Sequence, residues 1–325
     1  MPGGGDGPED ERPLPVLRAA LAVTGALERA RPSRATTVDE RRAEGERSPL
    51  VMANVTRAGR GPLTVDDHRL PVPDGGTVRV RRYRPTGRPD ALPTHVLVHG
   101  GAYWAGSVEG HDPLCAWYAR TVPCQVFSVD YRLAPEHPYP AGLGDCYAAL
   151  LGVADQAERF GVDPERLSVG GVSAGGGLAA AVALLARDRS GPALRLQLLE
   201  IPMLDPTMGS RSLDTYATGF GLTREDVALG WRYYRPGAGD GDPYAGPFAA
   251  TDLRGLAPAA VLTSGCDPLR DEGEAYAARL REAGVAVTTY RAYGHVHSSH
   301  YLTRYLPSAR RAVAWTTEAL RRAYA

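Results

Sequence analysis

Hydrophobic and polar residues alternate along residues 65–72 and 77–84, as they do in strands that bury one face and expose the other. A turn sequence, Pro-Asp-Gly-Gly, separates the two stretches at residues 73–76. The pattern predicts a β-hairpin. Other stretches are predominantly apolar and are predicted as further strands; they are residues 94–98, 125–129, 166–170, 194–200, 259–264 and 285–290.

Helical patterns lie between these strands and after them. They cover residues 112–121, 143–160, 175–189, 272–283 and 308–323. Strands that alternate with helices are typical of a mostly parallel, twisted sheet with helices on both faces. The predicted fold class is therefore α/β, and no internal repeat is visible.

Two parts of the chain interrupt this alternation and are predicted to form a helical cap. Residues 14–29 carry a leucine stripe at helical spacing, although packing of this helix on the body is the simpler alternative. Residues 205–252 form an insertion rich in Gly, Pro, Tyr and Trp, at the carboxyl edge of the sheet where α/β proteins bind ligands.

The predicted organisation is a tail with N-terminal cap helices followed by one catalytic domain. The tail and cap helices occupy residues 1–50, of which residues 1–12 are acidic, rich in Gly and Pro, and expected to be disordered. The catalytic domain occupies residues 51–325 and contains a second cap segment at about 205–250.

Charge and composition exclude several classes of function. The chain of 325 residues carries 37 basic and 37 acidic residues, so its net charge gives no reason to expect nucleic acid or an anionic membrane as a partner. Every basic residue is arginine, which excludes Schiff-base chemistry and a Ser-Lys dyad. The apolar run at residues 14–27 contains Arg18 and is too short to span a bilayer.

The four cysteines show no metal or redox spacing. None of them forms a Cys-x-x-Cys pair, so a zinc site or a thioredoxin-like motif is not indicated. The start of the chain is acidic, unlike the basic start of a signal peptide. We therefore expect a reduced protein of the cytoplasm.

A Gly-x-Ser-x-Gly motif stands at residues 171–175, between a predicted strand and a predicted helix. This is the setting of a nucleophilic serine at a strained strand-to-helix turn, with small neighbours that permit the turn. The candidate nucleophile is Ser173, although a chance glycine-rich turn is the alternative in a chain with 38 glycines.

A serine hydroxyl needs a base to take its proton and an acid to orient that base. Asp267 follows the predicted strand at residues 259–264, and His295, His297 and His300 follow the last predicted strand. The order Ser, Asp, His along the chain is that of an α/β-hydrolase triad. The three histidines are not spaced as a recognisable metal site, and Asp271 is a rival acid that more plausibly caps a helix.

Backbone N–H groups must also face the oxygen that becomes negative in a tetrahedral intermediate. The sequence His99-Gly100-Gly101-Ala102 follows the strand at residues 94–98, and its glycines allow close approach to a substrate. The N–H of Ala174 is placed to complete such a site. We expect an oxyanion hole here rather than a plain turn.

With these motifs in this order, the chain resembles the hormone-sensitive-lipase-like (family IV) esterases of the α/β-hydrolase superfamily. The matching stretches are residues 99–107 (HGGAYWAGS), 130–141 (DYRLAPEHPYPA), 171–176 (GVSAGG), 267–273 (DPLRDEG) and 293–297 (YGHVH). The resemblance runs from about residue 65 to residue 325. It implies an α/β-hydrolase fold with a two-part cap, ester hydrolysis through an acyl-enzyme, and neither cofactor nor metal.

Carried over to this sequence, the resemblance assigns roles to individual residues. Ser173 is the nucleophile, Asp267 orients the base, and His297, three residues after Gly294, is the base. The N–H groups of the oxyanion hole are those of Gly100, Gly101 and Ala174. The expected substrate-binding residues are Tyr103 and Trp104, which follow the oxyanion loop, and Glu200, which ends a strand near the pocket.

This chain departs from the family pattern at several positions near the triad. Ala102 replaces the third glycine of His-Gly-Gly-Gly, Val172 replaces an Asp, and Gly177 replaces an Asn. The strand end reads Glu200-Ile201-Pro202 where the family has Tyr-Pro, which places an acid close to the expected pocket. Ser298 follows the histidine where the family has Gly. The triad itself is intact.

The expected function is hydrolysis of carboxylic esters with small or medium acyl chains, with a small-molecule ester or related acyl compound as substrate. One alternative keeps the scaffold but cleaves a thioester, lactone or amide, or catalyses an elimination or cyclisation in a biosynthetic pathway, as Glu200 and the altered neighbours suggest. Another is a ligand-binding receptor without catalysis, which the presence of His297 disfavours. A homodimer through the C-terminal helix, as in relatives, is a further expectation.

Overall fold

A sheet of eight strands runs through the part of the chain that the structure describes. The structure is a computed structural model and describes residues 11–30, 37–46, 60–88, 91–237 and 241–325. The strands are β1 (Leu63–Pro71), β2 (Thr77–Pro85), β3 (Leu92–Val98), β4 (Gln125–Asp130), β5 (Val162–Val172), β6 (Leu194–Glu200), β7 (Ala259–Cys266) and β8 (Val287–Val296). Their order across the sheet is β1-β2-β4-β3-β5-β6-β7-β8.

The sheet is parallel except at one edge. β1 and β2 form the predicted hairpin, and β2 pairs antiparallel with β4. All other neighbours pair parallel. Every residue of β3 and of β7 is buried, whereas β1 is largely exposed, as the apolar runs and the alternating stretch predict. The predicted fold class is confirmed.

Helices cover both faces of the sheet. They are α1 (Pro15–Ala30), α2 (Val38–Glu46), α3 (Val108–Thr121), α4 (Ala141–Asp155), α5 (Ala157–Phe160), α6 (Ala174–Asp188), α7 (Arg211–Thr215), α8 (Arg224–Tyr234), α9 (Arg270–Glu282) and α10 (Pro307–Ala323). Val96 and Val98 of β3 belong to a core with α4, α6 and α9, whereas Leu97 belongs to one with α3 and α10. Because side chains alternate along a strand, these two cores lie on opposite faces. No helix within the described ranges has the length and apolar character needed to cross a membrane.

The N-terminal helix α1 packs on both the body and the insertion. Leu17 belongs to a small core with Leu302 and Leu306, near the C-terminal helix. Leu21 packs in another small core with Tyr216 of the insertion. Leu17 and Leu21 of the predicted stripe therefore lie on the packed side of the helix, while Val23 lies on its exposed side.

Several predicted boundaries differ from the observed ones for local reasons. The predicted helix at residues 143–160 is divided at Gln156 into α4 and α5. The helix predicted from residue 112 starts at Val108, because the Ser107 hydroxyl accepts the N–H of Gly110 at 3.1 Å and caps it there. The last strand was predicted to end at residue 290 but continues to Val296 through a bulge at Gly294, which interrupts the apolar pattern.

Three fully enclosed histidines make stability depend on pH. Burial lowers the pKa of His95 to about 3 and the pKa values of His99 and His295 to about 4. In the unfolded chain a histidine has a pKa of about 6.5, so the unfolded state binds more protons between about pH 6.5 and pH 4. Folding is therefore less favourable as the pH falls through this window.

We predict that the free energy of unfolding, measured by urea titration, falls between pH 7 and pH 5 by about 2 kcal/mol for each of these imidazoles. The replacement His95→Gln should reduce this difference, whereas His137→Gln, at an exposed position, should leave it unchanged. Equal stability at the two pH values would contradict the prediction.

Candidate active site

Ser173 occupies the sharp corner between β5 and α6. Its backbone has φ 57° and ψ −120°, a conformation that L-residues rarely adopt. A Cβ at Gly171 would lie 2.2 Å from the carbonyl oxygen of Gly175, and a Cβ at Gly175 would lie 2.2 Å from that of Val98. Both glycines of the motif are thus required by backbone contacts, and the corner projects the serine from the end of the sheet.

Three loops at the same edge of the sheet bring the predicted triad together. The Nε2 atom of His297 lies 3.0 Å from Ser173 Oγ, and its Nδ1 atom lies 2.7 Å from Asp267 Oδ2. Asp267 is 1% exposed, and its other oxygen accepts the N–H of Leu269 at 2.9 Å. With Nδ1–H donating to the carboxylate, Nε2 is left to accept the serine proton.

The rival residues are engaged elsewhere. His295 is buried, and its two ring nitrogens bond the hydroxyls of Ser299 and Ser308, each at 2.9 Å. Asp271 accepts the N–H of Ser212 at 2.8 Å. Within the described ranges, no group of three or more His, Cys, Asp or Glu side chains is placed to hold a metal ion.

The loop after β3 turns its backbone toward Ser173. Gly101 has φ 130° and Ala102 has φ 51°, so two successive residues adopt left-handed backbone angles. The N–H of Gly100, one of the three predicted oxyanion donors, donates to His111 Nε2 at 3.3 Å. The N–H groups of Gly101, Ala102 and Ala174 have no hydrogen-bond acceptor among the described residues. The assignment of the oxyanion donors stays a prediction.

A cavity of about 350 Å³ opens onto the serine and the imidazole. Its walls are mainly apolar. They come from the loop after β3, from α3 and the end of β5, and from the insertion and the loop after His297. The wall residues include Trp104, His111, Leu114, Val172, Leu222 and Tyr301. A concave apolar site with a few convergent polar groups is typical of a small-molecule binding site.

Comparisons with known proteins agree with this geometry. Residues 95–301 match the model of a family with the α/β-hydrolase fold. The chain belongs to the hormone-sensitive-lipase-like family of α/β hydrolases. The predicted family is confirmed.

Several similar proteins are named as ester hydrolases or esterases. A carboxylic ester hydrolase of Mycobacterium tuberculosis, LipN, is 44% identical over 248 residues, which cover 73% of this chain and 65% of that protein. An ethyl acetate hydrolase of Pseudomonas putida is 34% identical over an alignment that covers 89% of this chain and 91% of that protein. The solved structure of a bacterial heroin esterase aligns with a TM-score of 0.86 at 36% identity, over 96% of this chain and 98% of its own. The predicted class, a carboxylic ester hydrolase, is confirmed.

Trp104 and Tyr103, both predicted to bind substrate, have different positions in this α/β hydrolase. Trp104 lines the cavity. Tyr103 is 2% exposed and does not line it; its hydroxyl donates to the carbonyl of Met203 at 3.0 Å, and its ring stacks on Tyr234 at 4.0 Å. A Cβ at position 177 would lie 2.6 Å from that hydroxyl, so Gly177, one of the departures from the family pattern, makes room for Tyr103.

Glu200 lies behind the cavity wall. It is 1% exposed, and its carboxylate accepts the hydroxyls of Tyr118 and Tyr301, each at 2.8 Å. Burial, followed by the negative charge of Glu200, raises the pKa of both tyrosines well above the ordinary value, so they remain donors. Tyr301 lines the cavity, so Glu200 holds the hydroxyl of a wall residue.

Sequence reasoning missed two residues that line the cavity. The His111 imidazole is held by the Ser107 carbonyl at 3.2 Å and by the Gly100 N–H, and burial lowers its pKa to about 4. Arg42 of α2 donates to the carbonyl of Trp104 at 2.6 Å and pairs with Glu136. Neither residue had a signal in the sequence, since the helix was predicted to begin only at residue 112, after His111.

We predict that Glu200→Leu lowers the free energy of unfolding by about 1–3 kcal/mol, because the tyrosine hydroxyls lose a buried acceptor. Activity on a p-nitrophenyl ester should stay within about tenfold of the wild type, since Glu200 does not line the cavity. The conservative Glu200→Gln, which keeps one acceptor, should lose less stability. A raised KM for Glu200→Gln at unchanged stability would instead indicate contact with the substrate.

Proposed function

We propose that the protein cleaves carboxylic esters of small or medium acyl chains through an acyl-enzyme formed on Ser173. The supporting observation is the continuous set of hydrogen bonds from Asp267 through His297 to Ser173, at 2.7 and 3.0 Å, with the serine facing an apolar cavity. A hydroxyl with a base and an orienting acid in this geometry is an activated nucleophile.

In the first half of the reaction, His297 Nε2 takes the proton of Ser173 as Oγ bonds to the ester carbonyl carbon. The carbonyl oxygen becomes negative and accepts the N–H groups of Gly101, Ala102 and Ala174. The Asp267 carboxylate stabilises the imidazolium. When the carbon–oxygen bond to the leaving group breaks, His297 returns the proton to the departing alcohol.

In the second half, a water molecule takes the place of the alcohol. His297 removes one proton from the water as its oxygen attacks the acyl carbon. The tetrahedral intermediate collapses, the bond to Ser173 breaks, and the serine recovers its proton from the imidazolium. The carboxylic acid then leaves, and Ser173 and His297 are back in their starting protonation states.

The proposed limit on chain length comes from the size and cover of the cavity. A volume of about 350 Å³ is at the small end for ligand sites. Leu222 of the insertion and Arg42 of α2 both line it, which supports the assignment of residues 1–50 and about 205–250 as a cap on a catalytic domain of residues 51–325. The relative named ethyl acetate hydrolase supports short acyl chains.

Two further assignments complete the proposal. Cytoplasmic location is supported by the four cysteines, all of which are free and buried. A homodimer through α10 stays a prediction. Reactions on a thioester, lactone or amide, an elimination or cyclisation, and a receptor role are not favoured by the relatives, which are named as esterases.

We predict that Ser173→Ala and His297→Ala each lower kcat by about 10,000-fold or more, because either change removes proton transfer from the nucleophile. His295→Ala, whose imidazole is bound only to two serines, should stay within about tenfold. A fluorophosphonate probe should label the wild type and His295→Ala but not Ser173→Ala. A wild type that resists labelling, or an active His297→Ala variant, would contradict these assignments.

We predict that kcat/KM on p-nitrophenyl esters is highest between acetate and octanoate and falls by about 100-fold or more on palmitate, because the capped cavity cannot hold the long chain. Leu222→Ala, which enlarges the cavity from the cap side, should shift the optimum toward longer acyl chains. Equal turnover of butyrate and palmitate would rule out this size limit.

A further inference from the structure

The bulge in β8 sets the direction of the loop that carries His297. Ser264 of β7 pairs with Ala292, but Cys266, two residues on, pairs with Val296, four residues on. The additional residues on β8 include Gly294, whose φ of +67° is in the left-handed region. A bulge of this kind bends the strand and leaves a peptide outside the ladder of the sheet.

The N-terminal segment supplies the hydrogen bonds that the bulge lacks. The N–H of Gly294 donates to Glu11 Oε2 at 2.8 Å, and its carbonyl accepts the N–H of Leu14 at 2.9 Å. Both polar groups of this one residue are therefore satisfied by residues 11–14, at the opposite end of the chain. A buried peptide group without a partner is costly, so these two bonds bear directly on the conformation of the bulge.

Glu11 is buried where several loops of the site meet. It is 8% exposed, and Oε2 lies so close to Gly265 that a Cβ there would come within 1.7 Å of it. Its own N–H donates to the hydroxyl of Tyr216 at 2.9 Å, and Oε1 lies 3.5 Å from an Nη atom of Arg291. A carboxylate is rarely buried unless it is paired. Here Glu11 contacts Gly265 near Asp267, Gly294 near His297, and Tyr216 of the insertion.

We propose that Glu11 is a positioning residue for His297: its carboxylate holds the Gly294 bulge in the conformation that keeps the imidazole within bonding reach of Ser173. Glu11 touches neither substrate nor triad and acts only through the backbone of the bulge. The proposal rests on the proposed role of His297 as the base. Of the tail expected to be disordered, residues 1–10 lie outside the described residues, whereas Glu11 is buried against the site.

The contacts of α1 connect the same segment to the cap. Residues 11–14 lead directly into α1, whose Leu21 packs against Tyr216 of the insertion. The Tyr216 hydroxyl in turn accepts the Glu11 N–H. A displacement of this helix would therefore withdraw the acceptor from Gly294, which couples the position of the cap to that of the general base.

The test compares three replacements in the full chain. Glu11→Leu keeps the size of the side chain but removes the acceptor, Glu11→Gln keeps a carbonyl acceptor, and Arg12→Ala changes the exposed neighbour. We expect Glu11→Leu to lower kcat by about 10- to 100-fold with KM changed less than about threefold, because only the orientation of the base is altered. Glu11→Gln and Arg12→Ala should stay within about threefold of the wild type.

A second pair of readouts separates positioning from general loss of stability. Labelling of Ser173 by a fluorophosphonate should be slower in Glu11→Leu than in the wild type. The downfield proton resonance of the His297–Asp267 hydrogen bond should shift in the same variant. Both should return to the wild-type values in Glu11→Gln. Leu280→Ala, at a fully buried core position of α9 that makes no hydrogen bond to the bulge through its side chain, is the control for lost stability. It should unfold more easily but label at the wild-type rate below its unfolding temperature.

Each outcome decides for or against the proposal. Labelling of Glu11→Leu at the wild-type rate, or equal slowing in Leu280→Ala, would overturn it while leaving the esterase assignment in place. A wild type that neither hydrolyses esters nor labels would overturn the assigned role of Ser173 and this proposal with it. If Glu11→Leu does not accumulate as folded protein, Glu11→Asp, which keeps the charge but withdraws the carboxylate from Gly294, should show the same loss of kcat.

Discussion

The imidazole of His297 must bond a carboxylate on one side and a hydroxyl on the other, and the surrounding structure is arranged around this requirement. The carboxylate ends β7, the hydroxyl stands at the corner after β5, and the imidazole follows β8. Because parallel strands end at the same edge, three distant stretches of sequence reach one place. The strain at Ser173 and the bulge at Gly294 are local distortions that bring the groups to within 3.0 Å of each other.

The fold and the triad were predictable because their signals are local. The two strands of the hairpin show alternation and the others are short apolar runs. Each triad residue lies in the stretch that follows such a run, so the order along the chain indicates which ends meet. The glycines beside Ser173 were predictable for the same reason, since a tight turn restricts the residues next to it.

What could not be predicted depends on contacts between distant residues. Glu200 stands at a strand end, as a pocket residue does, but its direction is set by Tyr118 and Tyr301. The N–H of Gly100 is taken by His111 of the next helix. Single positions in a sequence carry no sign of such partners. The partner of the Gly100 N–H and the residues that line the cavity could therefore be identified only from the three-dimensional structure.

The contact between Glu11 and Gly294 spans 283 positions of the chain. This hydrogen bond can form only after residue 294 has been made and β8 has paired with β7. A chain that stops before β8 contains the serine corner but lacks His297, so the nucleophile is present before its candidate base.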